Sequence, residues 1–235
     1  MAQTTDRQRP LTRQALRTPS AAAVAGILFA VLFTTTMVLI RLAIPQDLGG
    51  TDTAGWLEGS TKSVSFALTL VPFAGIAFLW FMGVVRSRLG ELEDQFFSTV
   101  FYGSGLLFLA MVFVSAALAG GILASFALEA DKLIASGVLT YGRSVMYTIT
   151  NVYAIRMAGV FMLSLGTIWV RTRVMPRIFV FLTYILALFL LLGINLSAWV
   201  ILVFPAWVFA VSLFILVVSL RGKTAKGEAA LGSVE

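Results

Sequence analysis

Six stretches of the chain are predominantly apolar, over 21–44, 64–85, 96–128, 147–170, 178–194 and 197–220, and they constrain the fold more than any other feature. A helix needs about 20 such residues to cross roughly 30 Å of hydrocarbon. Lipid offers no partner to an unpaired backbone N–H or C=O, so an apolar chain of this kind must close its own hydrogen bonds as helices. The expectation is an all-α protein, a polytopic membrane helix bundle with six transmembrane helices. Composition agrees, with 59% hydrophobic and 12% charged residues against about 25% charged in soluble domains. A soluble globule of this size is excluded by that balance, and disorder over the whole chain by the 19 phenylalanines.

Lys and Arg are retained in cytoplasmic loops, so their placement sets orientation. With the N-terminus inside, the cytoplasmic segments hold Arg7, Arg9, Arg13, Arg17, Arg86, Arg88, Arg171, Arg173, Arg177, Arg221, Lys223 and Lys226. The outer side receives Arg41, Lys62, Lys132 and Arg143, and Arg156 falls inside a span. Both termini are therefore expected to be cytoplasmic. Residues 1–20 read as a basic cytoplasmic segment, 21–220 as the membrane domain, and 221–235 as a mobile cytoplasmic tail. The first span exceeds the roughly 7–15 apolar residues of a signal-peptide core and reads as an anchor.

Pro72 with Gly75 is expected to kink the second span, and Pro205 the sixth. The third span is rich in small residues, from Gly103 and Gly105 to Gly120, Gly121 and Ser125, which favour close helix packing. Its length requires that it tilt, project outward or break at Gly120-Gly121. Asn195 marks a tight hairpin between the last two spans. The cytoplasmic turn before the third span carries Glu91, Glu93 and Asp94, which suit a helix start. Pro176 is placed to open the fifth span. The acids of the first outer loop, Asp47, Asp52 and Glu58, lack the spacing of a calcium loop and read as solvated loop acids.

An ionisable residue within a span costs about 2.5–3.5 kcal/mol on insertion scales and marks a functional site by default. Arg156 stands out in this way. Its surroundings are polar, and Arg156, Tyr153, Asn151 and Tyr147 form the candidate ligand-binding set. They line either an outward-opening cavity for an anionic or hydroxylated ligand, such as a lipid headgroup, or an inter-helix hydrogen-bond network with a snorkelling Arg. Glu129, Asp131, Thr34, Thr35, Thr36 and carbonyls near Gly120-Gly121 are the partners open to Arg156.

The chain has no Cys and no His, which removes thiolate and histidine catalysis and the common metal sites. No span carries an Asp or Glu in its interior, and none carries a Lys, so general-base hydrolysis and proton coupling lack their usual groups. No catalytic residue, cofactor or metal is expected, and an enzyme is not. The net charge of +6 is accounted for by the positive-inside bias, so nucleic acid is not expected as a partner. The partners expected are the lipid bilayer, with anionic headgroups drawn to Arg7, Arg9, Arg13 and Arg17, and a protein partner or second copy that the sequence does not specify. Two functional classes remain: a non-enzymatic helper, sensor or assembly protein, and a facilitator or channel-like carrier using a cavity near Arg156.

A first span followed by an outer loop with Pro and Gly (Ile44-Pro45 to Gly50), and an Arg-x-Arg-x-x-Pro-Arg turn at Arg171 to Arg177, give the chain its one family likeness. It resembles the six-span bacterial membrane proteins grouped as domains of unknown function. The resemblance implies a multi-pass protein of the bacterial cell membrane and carries no activity.

Overall fold

A computed structural model describes residues 19–43, 53–89, 95–173, 175–193 and 198–231. The described residues form helices α1 (Pro19–Ala43), α2 (Thr53–Leu89), α3 (Gln95–Ala135) and α4 (Val138–Thr148), then a π-helical turn (Ile149–Ala154) leading into α5 (Ile155–Thr172). They continue with α6 (Arg177–Leu192), a 3-10 turn (Ala198–Leu202) and α7 (Val203–Leu231). No strand occurs among the described residues. Five helical segments are long and apolar enough to cross a membrane: Ala21–Leu42, Thr61–Arg86, Phe96–Glu129, Val138–Thr172 and Trp199–Arg221.

The fifth expected span is shorter than the others. Helix α6 has 16 residues, about 24 Å at 1.5 Å per residue. It ends at Gly193, whose N–H closes the last turn on Phe189 O at 2.8 Å. The fourth expected span, in contrast, begins earlier than hydropathy alone places it, because helix runs unbroken from Val138 through the π turn to Thr172.

Breaks also fall at positions other than those the glycines and prolines suggest. Helix α3 passes straight through Gly120-Gly121 and leaves helical geometry at Glu129, with φ −150 and ψ 72. Pro205 sits in the first turn of α7, and the change from 3-10 to α geometry at Leu202–Val203 falls just ahead of it. Gly137, at φ +73, makes the turn between α3 and α4, a backbone region open to glycine at little cost. Arg173 at φ 53 ends α5, and its N–H reaches Trp169 O at 2.9 Å. Pro176 is the cap of α6 rather than its first residue, and its carbonyl accepts from Phe179 N at 3.0 Å. Helix α7 continues to Leu231, so the segment after Arg221, expected to be a mobile tail, begins as helix. Its Ala, Lys and Glu residues are good helix formers.

Lipid is as apolar as a leucine side chain, so helices in a membrane gain from close packing more than from burial. Five fully buried phenylalanines, Phe29 of α1, Phe78 of α2, Phe108 of α3, Phe161 of α5 and Phe204 of α7, meet in the middle of the bundle, and Phe81 of α2 and Phe101 of α3 are fully buried as well. Ring centroids lie 4.7 Å apart for Phe29–Phe78 and for Phe108–Phe204, 5.4 Å for Phe78–Phe161 and 5.7 Å for Phe161–Phe204. Such pairs contribute about 0.5–1.5 kcal/mol each beyond area. Small residues bring the helices close enough for these contacts. A Cβ on Gly26 of α1 would collide with Ser212 of α7, and one on Gly159 of α5 would lie 3.1 Å from the backbone carbonyl of Ala187 in α6.

Helix α6 stands outside this centre. It is held to α5 by Tyr184, whose hydroxyl lies 3.0 Å from Thr167 Oγ1. On the other side Trp207 Nε1 of α7 donates to Thr183 Oγ1 at 2.9 Å, and Phe179 packs on Phe214 with centroids 4.9 Å apart. These pairs run in opposite directions along the chain, so α6 and α7 are antiparallel. The turn at Asn195 lies outside the described residues.

Candidate functional site

At the end of the bundle that holds the C-terminus of α1, the helices part around a cavity of about 550 Å³. Its floor is apolar. Val71 of α2 and Val112 of α3 line it, each nearly fully buried, and Val112 lies one turn from Phe108. The aromatic centre therefore underlies the cavity directly. Higher up, the lining turns polar: Ser115 from α3, Tyr147 and Arg143 from α4, Thr150 and Asn151 from the π turn, and Arg41 from α1. Trp199 of the 3-10 turn borders it as well.

Arg41 crosses from α1 to the opposite wall. Its Nη2 donates to Asn151 Oδ1 at 2.7 Å, and its guanidinium lies 5.3 Å from the centre of the Tyr147 ring. A hydrogen bond from a charged donor and a cation–π contact both offset the cost of holding Arg at the end of an apolar helix. Only one of its five donors is used by Asn151, a neutral partner. Among the described residues, the lining contains two arginines and no Asp or Glu.

Side-chain hydrogen bonds flank the π turn. Tyr147 O accepts from Asn151 Nδ2 at 3.0 Å, and Met146 O accepts from Ser115 Oγ at 3.4 Å. Side chains thus take up carbonyls just ahead of the wide turn, where the i to i+4 ladder gives way and Ile155 N reaches back to Thr150 O. Ser115 and Thr150, both buried, share a hydrogen bond of 2.7 Å that ties α3 to the turn. Single π turns inside α-helices occur frequently at functional sites.

Of the four residues singled out from the sequence, two meet in this cavity. Asn151 and Tyr147 line it, while Tyr153 and Arg156 do not. Tyr153 is exposed on the flank of the bundle. The Arg41–Asn151 bond sets Asn151 level with the end of α1, which puts Arg156 five residues deeper, about 7 Å down the helix. No hydrogen bond or ion pair reaches Arg156 among the described residues. Thr36 is buried with its hydroxyl unpartnered, and Glu129 pairs with Lys132 at 2.8 Å.

Arg41, Arg143, Ser115 and Thr150 were not among the expected site residues. For Arg41 the signal was present, since it lies inside the first apolar stretch, 21–44, yet counted only toward orientation. The other end of the bundle carries its own cations. There Arg86 lies 5.3 Å from the Tyr102 ring and Arg171 lies 4.8 Å from the Phe97 ring. Among the described residues, no group of three or more His, Cys, Asp or Glu is placed to hold a metal ion. Asp47, Asp52 and the side chain of Glu58 lie outside the described residues.

Comparison with protein-family models, with curated proteins and with solved structures finds no match to this chain.

Proposed function

We propose that the chain is an integral protein of the bacterial cell membrane with six spans and both termini cytoplasmic, and that it holds an anionic ligand in the cavity at its outer end. In this reading it acts as a receptor, sensor or assembly helper and catalyses no reaction. The observation that carries the proposal is Arg41, whose guanidinium lines the cavity with one described hydrogen bond, to the neutral side-chain amide of Asn151. A guanidinium carries five donors in a fixed fork, one of them taken by Asn151, and Arg is suited to bidentate recognition of carboxylate and phosphate. The five buried rings beneath the floor favour a blind vestibule over a conducting path, which sets binding ahead of facilitated transport. The basic N-terminal residues Arg7, Arg9, Arg13 and Arg17 add an attraction to anionic lipid on the cytoplasmic side.

The test is calorimetric titration of the full chain, in phosphatidylcholine nanodiscs, with inorganic phosphate and with decyl phosphate. Whichever probe binds better should weaken tenfold or more in Arg41→Gln and in Arg143→Gln. If neither probe binds, or if both folded variants bind as the parent does, the proposal is wrong.

A further inference from the structure

Polar and apolar groups line the vestibule at one level. Ile40 precedes Arg41 on α1, Ala116 follows Ser115 on α3 and Met146 precedes Tyr147 on α4, and all six line the cavity. Arg41 is bonded to Asn151, and Ser115 to the neighbouring Thr150, so the helices bring these pairs to the same height. Whatever meets the Arg41 guanidinium therefore has hydrocarbon close to its other sides.

Most polar groups at this height already serve the protein. Asn151 accepts from Arg41 through Oδ1 and donates to Tyr147 O through Nδ2. Ser115 and Thr150 share a hydrogen bond of 2.7 Å, and the Ser115 hydroxyl also lies 3.4 Å from Met146 O. Arg143 has an interaction of its own, so Arg41 carries the recognition. A guanidinium has two edges on which N–H groups lie side by side, Nε with one Nη and the two Nη together. The bond to Asn151 takes one hydrogen of Nη2, which interrupts at most one edge and leaves the other complete. One cation with one complete edge matches one planar monoanion. A phosphate dianion brings twice the charge and carries oxygens on several sides. Burying a charged oxygen without a hydrogen-bond partner, against Ile40, Ala116 or Met146, is costly. A carboxylate has both oxygens on one edge and carbon behind them.

We infer that the anion held here is a monocarboxylate, its two oxygens on the complete edge of Arg41 and its carbon body against Ile40, Ala116 and Met146. This assignment rests on the anion-binding reading above and narrows it to one chemical class.

The experiment is calorimetric titration of the full chain in phosphatidylcholine nanodiscs, with empty nanodiscs subtracted. Three probes share a phenyl ring: benzoate, benzenesulfonate and phenyl phosphate. Benzenesulfonate keeps the single charge and adds a third oxygen, and phenyl phosphate adds charge as well. Benzoate should bind at least fivefold more tightly than either. Arg41→Lys, which keeps the charge and loses the edge, should weaken benzoate tenfold or more. Met146→Gln, similar in length with an added amide, should narrow the margin of benzoate over phenyl phosphate and serves if Arg41→Lys fails to fold. Decanoate, which reaches the site from the bilayer, separates a fatty acid from a water-borne acid, the tighter of the two carboxylates naming the source. Equal affinity for the three phenyl probes, full benzoate affinity in folded Arg41→Lys, or binding of decyl phosphate but of neither carboxylate would overturn the monocarboxylate. Each of these leaves an Arg41-dependent anion site standing as long as Arg41→Gln weakens the probes that bind. If Arg41→Gln weakens none of them, the underlying reading fails as well.

Discussion

Arg41 and Arg156 both lie in apolar helices near the same end of the bundle, and their surroundings have little in common. Arg41 reaches a residue 110 positions away in the chain, Asn151, and lies against the Tyr147 ring within a cavity. Arg156 is on the flank of α5, outside that cavity, with no described partner. Insertion into an apolar segment makes any arginine costly. What separates the two is whether other helices bring groups to meet the charge. The vestibule gathers α1, α3, α4 and the π turn around Arg41, whereas Arg156 lies outside that lining.

The largest expected effect comes from the floor that the two regions do not share. Phe108→Ala removes a fully buried ring from beneath Val112 and should cost about 3–5 kcal/mol, read as a lowered unfolding midpoint in nanodiscs. A small shift would mean that the aromatic centre is not what closes the vestibule. Next, Arg41→Gln should weaken binding of decyl phosphate tenfold or more, about 1.4 kcal/mol or above, with little change in that midpoint. Asn151→Ala should cost about 1 kcal/mol of stability, since Arg41 keeps the Tyr147 ring. It should not weaken ligand binding, and a loss of affinity there would make Asn151 a ligand contact. Arg156→Leu is the smallest, within about 0.5 kcal/mol in stability and within twofold in affinity. An effect on binding as large as that of Arg41→Gln would erase the distinction between the two arginines.

Helices and their approximate extents were legible because membrane insertion writes them as long apolar runs, a local property. The all-helical class and the positions of α1, α2 and α3 follow directly from this. The extent of α6 was legible as well, since the stretch 178–194 and the helix Arg177–Leu192 differ by one or two residues at either end. The change from 3-10 to α geometry just ahead of Pro205 was not legible, since hydropathy runs through it without a mark.

The site was half legible. Asn151 and Tyr147 stood out as polar groups in an apolar setting, and they do line the cavity. Tyr153 and Arg156 shared that polarity but point elsewhere on the helix, and spacing along one helix does not reveal which face its neighbours cover. Arg41 was hidden by its place at a span end, where positive charge already has an explanation in topology. The π turn depends on bonds such as Ser115 to Thr150, between residues on different helices, and nothing in the local sequence announces it.

The central claim is an open, electropositive vestibule above a closed centre, and the absence of cysteine from the chain allows one direct measurement. With Ala116→Cys on the cavity wall as the single thiol, labelling rates are compared for a negatively and a positively charged methanethiosulfonate of similar size. The anionic reagent should react several times faster, and the preference should disappear when Arg41→Gln is added. Equal rates, a preference for the cationic reagent, or no labelling by either would contradict it.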